Sequence, residues 1–115
     1  MALVSASCSH QKQRIENPIV PGYFADPAII KFEDKFYIYA TKDPWGGKDL
    51  AVFVTEDFVT FESDSLNWPT KTACTSSTSW DAMVWAPDVV KGTDGKFYMY
   101  VSVGSEVWVG VSDHP

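Results

Sequence analysis

Two stretches of this chain repeat each other, and that repetition limits the fold more than any other feature of the sequence. Pro27-Ala28-Ile29-Ile30-Lys31, followed by Asp34-Lys35-Phe36-Tyr37-Ile38-Tyr39-Ala40-Thr41, is echoed by Pro87-Asp88-Val89-Val90-Lys91, followed by Asp94-Gly95-Lys96-Phe97-Tyr98-Met99-Tyr100-Val101-Ser102. The offset is about 60 positions, and Gly95 is the one inserted residue. Leu50 to Thr55 is matched in the same way by Val107 to Ser112. A period of this size marks a supersecondary unit that buries its apolar face by stacking on the next copy. The units are rich in β-branched and aromatic residues, are punctuated by Gly, Pro and Asp, and show no helical spacing, so they read as strands. Four strands in about one repeat length is the content of a propeller blade, and an all-β propeller with about two blades in this chain is the predicted fold. Stacked hairpins in a plain β-sandwich are the alternative. Two blades leave open faces and unpaired edges, and a propeller ring needs at least four blades to close, so the expectation is the N-terminal part of a longer protein.

Along the chain, residues 28–41 read as a hairpin around Glu33-Asp34-Lys35. Residues 42–49 form a loop rich in Gly, Pro and Asp. Leu50 to Thr55 is a third strand, Glu56-Asp57-Phe58 a turn, and Val59 to Glu62 a short fourth strand. Residues 63–82 read mostly as loop, Ser/Thr-rich from Thr70 to Ser79. Trp80 to Trp85 is expected to re-enter the apolar interior. The predicted division is therefore a leader over 1–16 and a two-blade unit over 17–115. Ala2 to Cys8 resembles the tail of a bacterial lipoprotein signal, which points to a secreted, periplasmic or surface-lipoprotein location. It lacks the charged start and long apolar run of a true signal, and a disordered leader is the other reading. No stretch is long enough to span a membrane.

The net charge of −6 disfavours nucleic acid, because no basic patch is available to meet phosphates, and it offers no basic face to an anionic membrane. A neutral partner such as a carbohydrate fits, and 15% aromatic residues with five Trp suit sugar binding or a β-core equally. Two cysteines, Cys8 and Cys74, cannot support a disulfide framework, and His10 and His114 have no metal-ligand pattern around them.

One carboxylate stands out. Pro21-Gly22 signals a turn, Pro27 biases Asp26 toward an extended backbone, and an apolar strand begins at Ala28. Asp26 thus sits at the mouth of a strand beside Tyr23 and Phe24. That place suits a sugar-cleaving carboxylate, and it equally suits a turn Asp satisfied by backbone N–H groups. Trp45, the only large apolar group in its loop, is either an exposed platform for a sugar ring or a lid folded onto the core.

Asn17 to Pro27, with Asp34 to Thr41 after it, resembles the opening motif of family 43 glycoside hydrolases. Val54 to Phe61 is similar to that family's first-blade signature, although Phe61 stands where Trp is usual. Trp85-Ala86-Pro87-Asp88-Val89 is similar to its second acidic motif. The resemblance implies a five-bladed propeller with its active site at the central funnel, hydrolysing arabinose- or xylose-containing polysaccharides with inversion. It implies Asp26 as general base and Asp88 as the aspartate that orients and tunes the general acid. The acid itself is implied to be a Glu in a later blade. Glu106 is not in that motif and reads as a solvated turn residue. Phe24, Trp45 and Trp85 would line the sugar pocket, and Trp80 and Trp85 read equally as packing residues between blades. Asp81 is either a polar contact or a loop cap. No cofactor is required by this chemistry. A structural calcium on the propeller axis is implied for some relatives, without a ligand set visible here. Inverting hydrolysis needs a base and an acid about 6.5–9.5 Å apart with water between them. The rival reading is a non-catalytic carbohydrate-binding propeller.

Overall fold

The computed structural model describes residues 14–115; most of the expected leader, with Cys8 and His10, lies outside the described residues. Seven strands are formed: β1 (Phe24–Phe32), β2 (Lys35–Lys42), β3 (Ala51–Thr55), β4 (Glu62–Asp64), β5 (Val84–Lys91), β6 (Phe97–Val103) and β7 (Glu106–Ser112). They make two antiparallel meanders, β1-β2-β3-β4 and β5-β6-β7, each in simple chain order. These are two successive propeller blades, and the internal repeat maps one onto the other. β2 occupies the place of β6 and β3 that of β7, as the matched sequences require.

The blades meet through one apolar layer. Tyr39, Val52 and, just before β3, Leu50 from the first blade pack with Val84, Val89, Phe97, Met99, Val101 and Val103 from the second. Phe32 meets Phe97 edge-on with ring centroids 5.1 Å apart, and Lys91 lies over both rings. Alternation along β6 explains which side chains do this: Phe97, Met99, Val101 and Val103 are buried, whereas the residues between them face the other side of the sheet. Burial also pushes the Tyr39 phenol well above its ordinary pKa. Cys74 is buried in the same layer and its thiol is likewise pushed up by burial. Trp68 lies flat against β7 at Gly110, where an added Cβ would stand 2.4 Å from the indole ring. Only glycine permits that approach.

Three local expectations are corrected. The fourth strand is Glu62–Asp64, not Val59–Glu62, because the preceding backbone is committed to a side-chain-built turn. The Asp57 carboxylate accepts from the N–H groups of Val59 and Thr60, both at 2.8 Å, and Phe58 adopts a positive φ of 59°. Trp80 does not enter the interior; it is 69% exposed, and Val84 is the first buried residue of the second blade. Asp26 is not extended, as described next.

Candidate active site

Asp26 lies inside β1, at a bulge. Ala25 pairs with Thr41 and Ala28 with Tyr39, so Asp26 and Pro27 together oppose the single residue Ala40. Pro27 has no N–H for the ladder, which suits it to a bulge. Asp26 there takes φ 50°, in the left-handed region rather than the extended one expected before proline. The second blade repeats the device. Trp85 pairs with Ser102 and Asp88 with Tyr100, leaving Ala86 and Pro87 against Val101, with Ala86 at φ 44°. Ala86 is therefore the counterpart of Asp26. Asp88 occupies a different place, that of Ala28.

The two bulges flank an open depression of about 670 Å³, lined by Asp26, Trp45, Asp81, Met83, Trp85 and Ser102 among others. That volume suits a small ligand. Thr41 Oγ1 donates to Asp26 Oδ2 at 3.1 Å and accepts from the Ala86 N–H at 2.7 Å. Trp45 is 78% exposed, as in the platform reading of its loop. The loop is nevertheless anchored. Val84 N–H donates to Gly47 O at 2.9 Å, and Asp43 N–H donates to Tyr23 O at 3.0 Å. Gly46 lies against Met83–Trp85 with φ 74°; a Cβ there would be 3.0 Å from Val84 O and 3.3 Å from the Trp85 ring. Glycine therefore lets the Trp45 loop close onto the start of β5.

The opposite wall, around Asp81, is held from below. Ser79 is fully buried; its carbonyl accepts from Lys71 Nζ at 2.6 Å and from Ala82 N–H at 3.1 Å. Glu106, at the start of β7, accepts from Ser76 Oγ at 2.6 Å, from the Thr78 hydroxyl and from Trp108 Nε1 at 3.0 Å. It is thus not the solvated turn residue expected from sequence but the clamp for the Ser/Thr-rich loop. Hydroxyl donors from Ser76, Thr78 and Ser79 stabilise its ionised form and lower its pKa to about 2. A depressed carboxylate contributes stability above its unfolded pKa, and that contribution is lost as pH falls through the folded value. The melting temperature of Glu106→Gln is therefore expected to lie below that of the unaltered protein by a constant margin above about pH 5. That margin shrinks toward zero as pH approaches 2. Thermal melts across this range check it; a margin independent of pH sinks the clamp.

The other residues singled out from sequence lie elsewhere. Phe24 is not in the depression; its ring packs edge-on to Phe53 at 5.1 Å. Asp88 is exposed and alternates with buried Val89, so it sits on the face of the second sheet turned away from the first. Among the described residues no group of three or more His, Cys, Asp or Glu could hold a metal ion. Thr41 was missed in the sequence, where it reads only as a β-branched strand residue.

Comparison with solved structures gives the same architecture. A β-xylosidase is 28% identical, with TM-score 0.60 over 82% of this chain and 33% of its own. An α-L-arabinofuranosidase from Clostridium thermocellum is 25% identical, with TM-score 0.59 over 78% of this chain and 31% of its own. A structure described as a glycoside hydrolase is 26% identical, with TM-score 0.65 over 84% of this chain and 21% of its own. The chain thus spans between about a fifth and a third of the length of these enzymes. The family model "Glycosyl hydrolases family 43" matches residues 15–115, which takes in both blades, both bulges and the depression between them. On that match, the chain belongs to glycosyl hydrolase family 43.

Proposed function

We propose that these two blades supply the general base and part of the sugar pocket of an inverting glycosidase acting on arabinose- or xylose-containing plant polysaccharides. The observation that carries the reading is Asp26. Its carboxylate stands at the edge of an open depression, oriented by Thr41, with the exposed ring of Trp45 and the half-buried ring of Trp85 lining the same space. Aromatic faces receive the apolar face of a sugar ring, and carboxylates receive its hydroxyls. In this reading Asp26 takes a proton from the water that attacks the anomeric carbon. Among the described residues Oδ2 is held by Thr41 and Oδ1 has no protein partner, so Oδ1 is the oxygen that meets the water. Asp88 acts at a distance from Asp26. Its assignment as the aspartate that orients and tunes the general acid rests on the family motif alone, since Asp88 does not line the depression. Asp81 lines the depression as a candidate contact for a sugar hydroxyl.

The test is hydrolysis of 4-nitrophenyl α-L-arabinofuranoside and 4-nitrophenyl β-D-xyloside by the full-length gene product, with the anomer first released followed by proton NMR. Release of the inverted sugar supports the reading. Retention overturns the mechanism. Binding of pentose oligosaccharides without cleavage moves the assignment to a carbohydrate-binding propeller.

A further inference from the structure

We propose that Thr41 is the positioning residue for the general base, and that it ties the base to the bulge of the neighbouring blade. This rests on Asp26 being the base. Thr41 is a polar side chain with 0% exposure near the end of β2, so its hydroxyl requires partners. It has two, and they come from different blades: Asp26 from β1 and Ala86 from β5. A hydroxyl carries one proton and can also accept. The Ala86 N–H can only donate, so Thr41 Oγ1 accepts there at 2.7 Å. Its single proton is then directed to Asp26 Oδ2 at 3.1 Å. The acceptor on Asp26 is thereby specified, and the carboxylate is turned so that its other oxygen remains for water.

The same contact accounts for a backbone group. The bulge in β5 takes Ala86 out of the strand ladder, since Trp85 pairs with Ser102 and Asp88 with Tyr100. Its N–H would be left without a partner, and Thr41 satisfies it across the blade interface. The position of the base therefore depends on how the second blade seats against the first. A hydroxyl at residue 41 is needed for this, and its methyl group is not. Ser102, the counterpart of Thr41 in the repeat, pairs with Trp85, the residue before Ala86, and the bulge there carries no carboxylate. The arrangement becomes a base site only in the first blade.

The experiment compares Thr41→Ser, Thr41→Cys, Thr41→Val and Asp26→Asn in the full-length gene product, with 4-nitrophenyl pentosides as probes and circular dichroism to confirm folding. Thr41→Ser keeps donor and acceptor and is expected to hold kcat within about threefold. Thr41→Val is expected to lower kcat by roughly 10²-fold, the loss that follows from misplacing a catalytic group by about 1 Å, while KM stays within about twofold. Thr41→Cys, a weaker donor and acceptor of similar size, is expected to fall between them, and its rank relative to Ser decides the matter if the Val variant does not fold. A merely structural threonine would lower the melting temperature and leave kcat of the folded fraction unchanged; that result, or Cys turning over as fast as Ser, overturns the proposal. With Asp26→Asn inactive and Thr41→Val at full rate, the positioning role fails alone. Full activity of Asp26→Asn removes the base assignment itself, and this inference with it.

Discussion

Asp26→Asn in the full-length gene product is expected to lower kcat by roughly 10³-fold, within the 10²–10⁴-fold range for loss of a general base, while affinity for unhydrolysed pentose oligosaccharides changes by less than about threefold. The substitution isolates the chemistry. Asparagine has the same shape, tolerates the left-handed φ of 50° at this bulge, and can still accept from Thr41 through its amide oxygen. What it cannot do is take a proton from water. Trp45 and Trp85 remain in place, so the sugar should still dock. Isothermal titration with an arabino- or xylo-oligosaccharide separates the two effects. Turnover within tenfold of the unaltered protein would show that another group is the base. Equal loss of binding and turnover would instead make Asp26 a sugar ligand.

The second large effect is on stability. Phe97→Ala is expected to cost about 3–5 kcal/mol, the range for deleting a buried aromatic from a core. Phe97 is 3% exposed, lies at the start of β6 in the layer between the blades, and meets Phe32 of the first blade edge-on. Removing it opens a cavity at the interface and takes away the ring beneath the Lys91 ammonium. A loss of that size approaches the whole stability of a small domain, about 5–15 kcal/mol. Urea unfolding of the variant should show a midpoint far below that of the unaltered protein. Trp80→Ala is the contrast: its ring is 69% exposed, and the change should stay within about 0.5 kcal/mol. A loss under about 1 kcal/mol at Phe97 would mean that the blades do not rely on this contact.

The two tryptophans of the segment 80–85 illustrate the limit of reading a linear pattern. Trp80-Asp81-Ala82-Met83-Val84-Trp85 is apolar apart from Asp81, yet within it burial begins only at Val84. Up to that point the chain is committed to the Glu106 clamp and the Ser79 carbonyl, which hold it as a turned wall. The shift of the fourth strand has a similar cause, since the Asp57 carboxylate takes the N–H groups that a strand would have used. In both places a side chain from a polar, turn-rich stretch decided the path, and apolar content said little about it.

What the sequence by itself determined is what depends on neighbours close along the chain. Alternating β-branched and aromatic residues specify strands, Glu33-Asp34 and Gly104-Ser105 specify tight turns, and the repeat from Pro27 to Pro87 specifies two copies of one meander. The acidic motif around Asp26, and its likeness to family 43, were visible for the same reason. Only the tertiary structure decided the rest. The positive φ of Asp26 and Ala86 comes from bulges whose register is set by strands paired across the sheet. The Thr41 hydroxyl meets partners 15 and 45 residues away, and Glu106 meets Ser76 across 30. Such contacts are created when one blade seats on another, because a hydrogen bond needs its two groups within about 3 Å, and no local pattern encodes that distance.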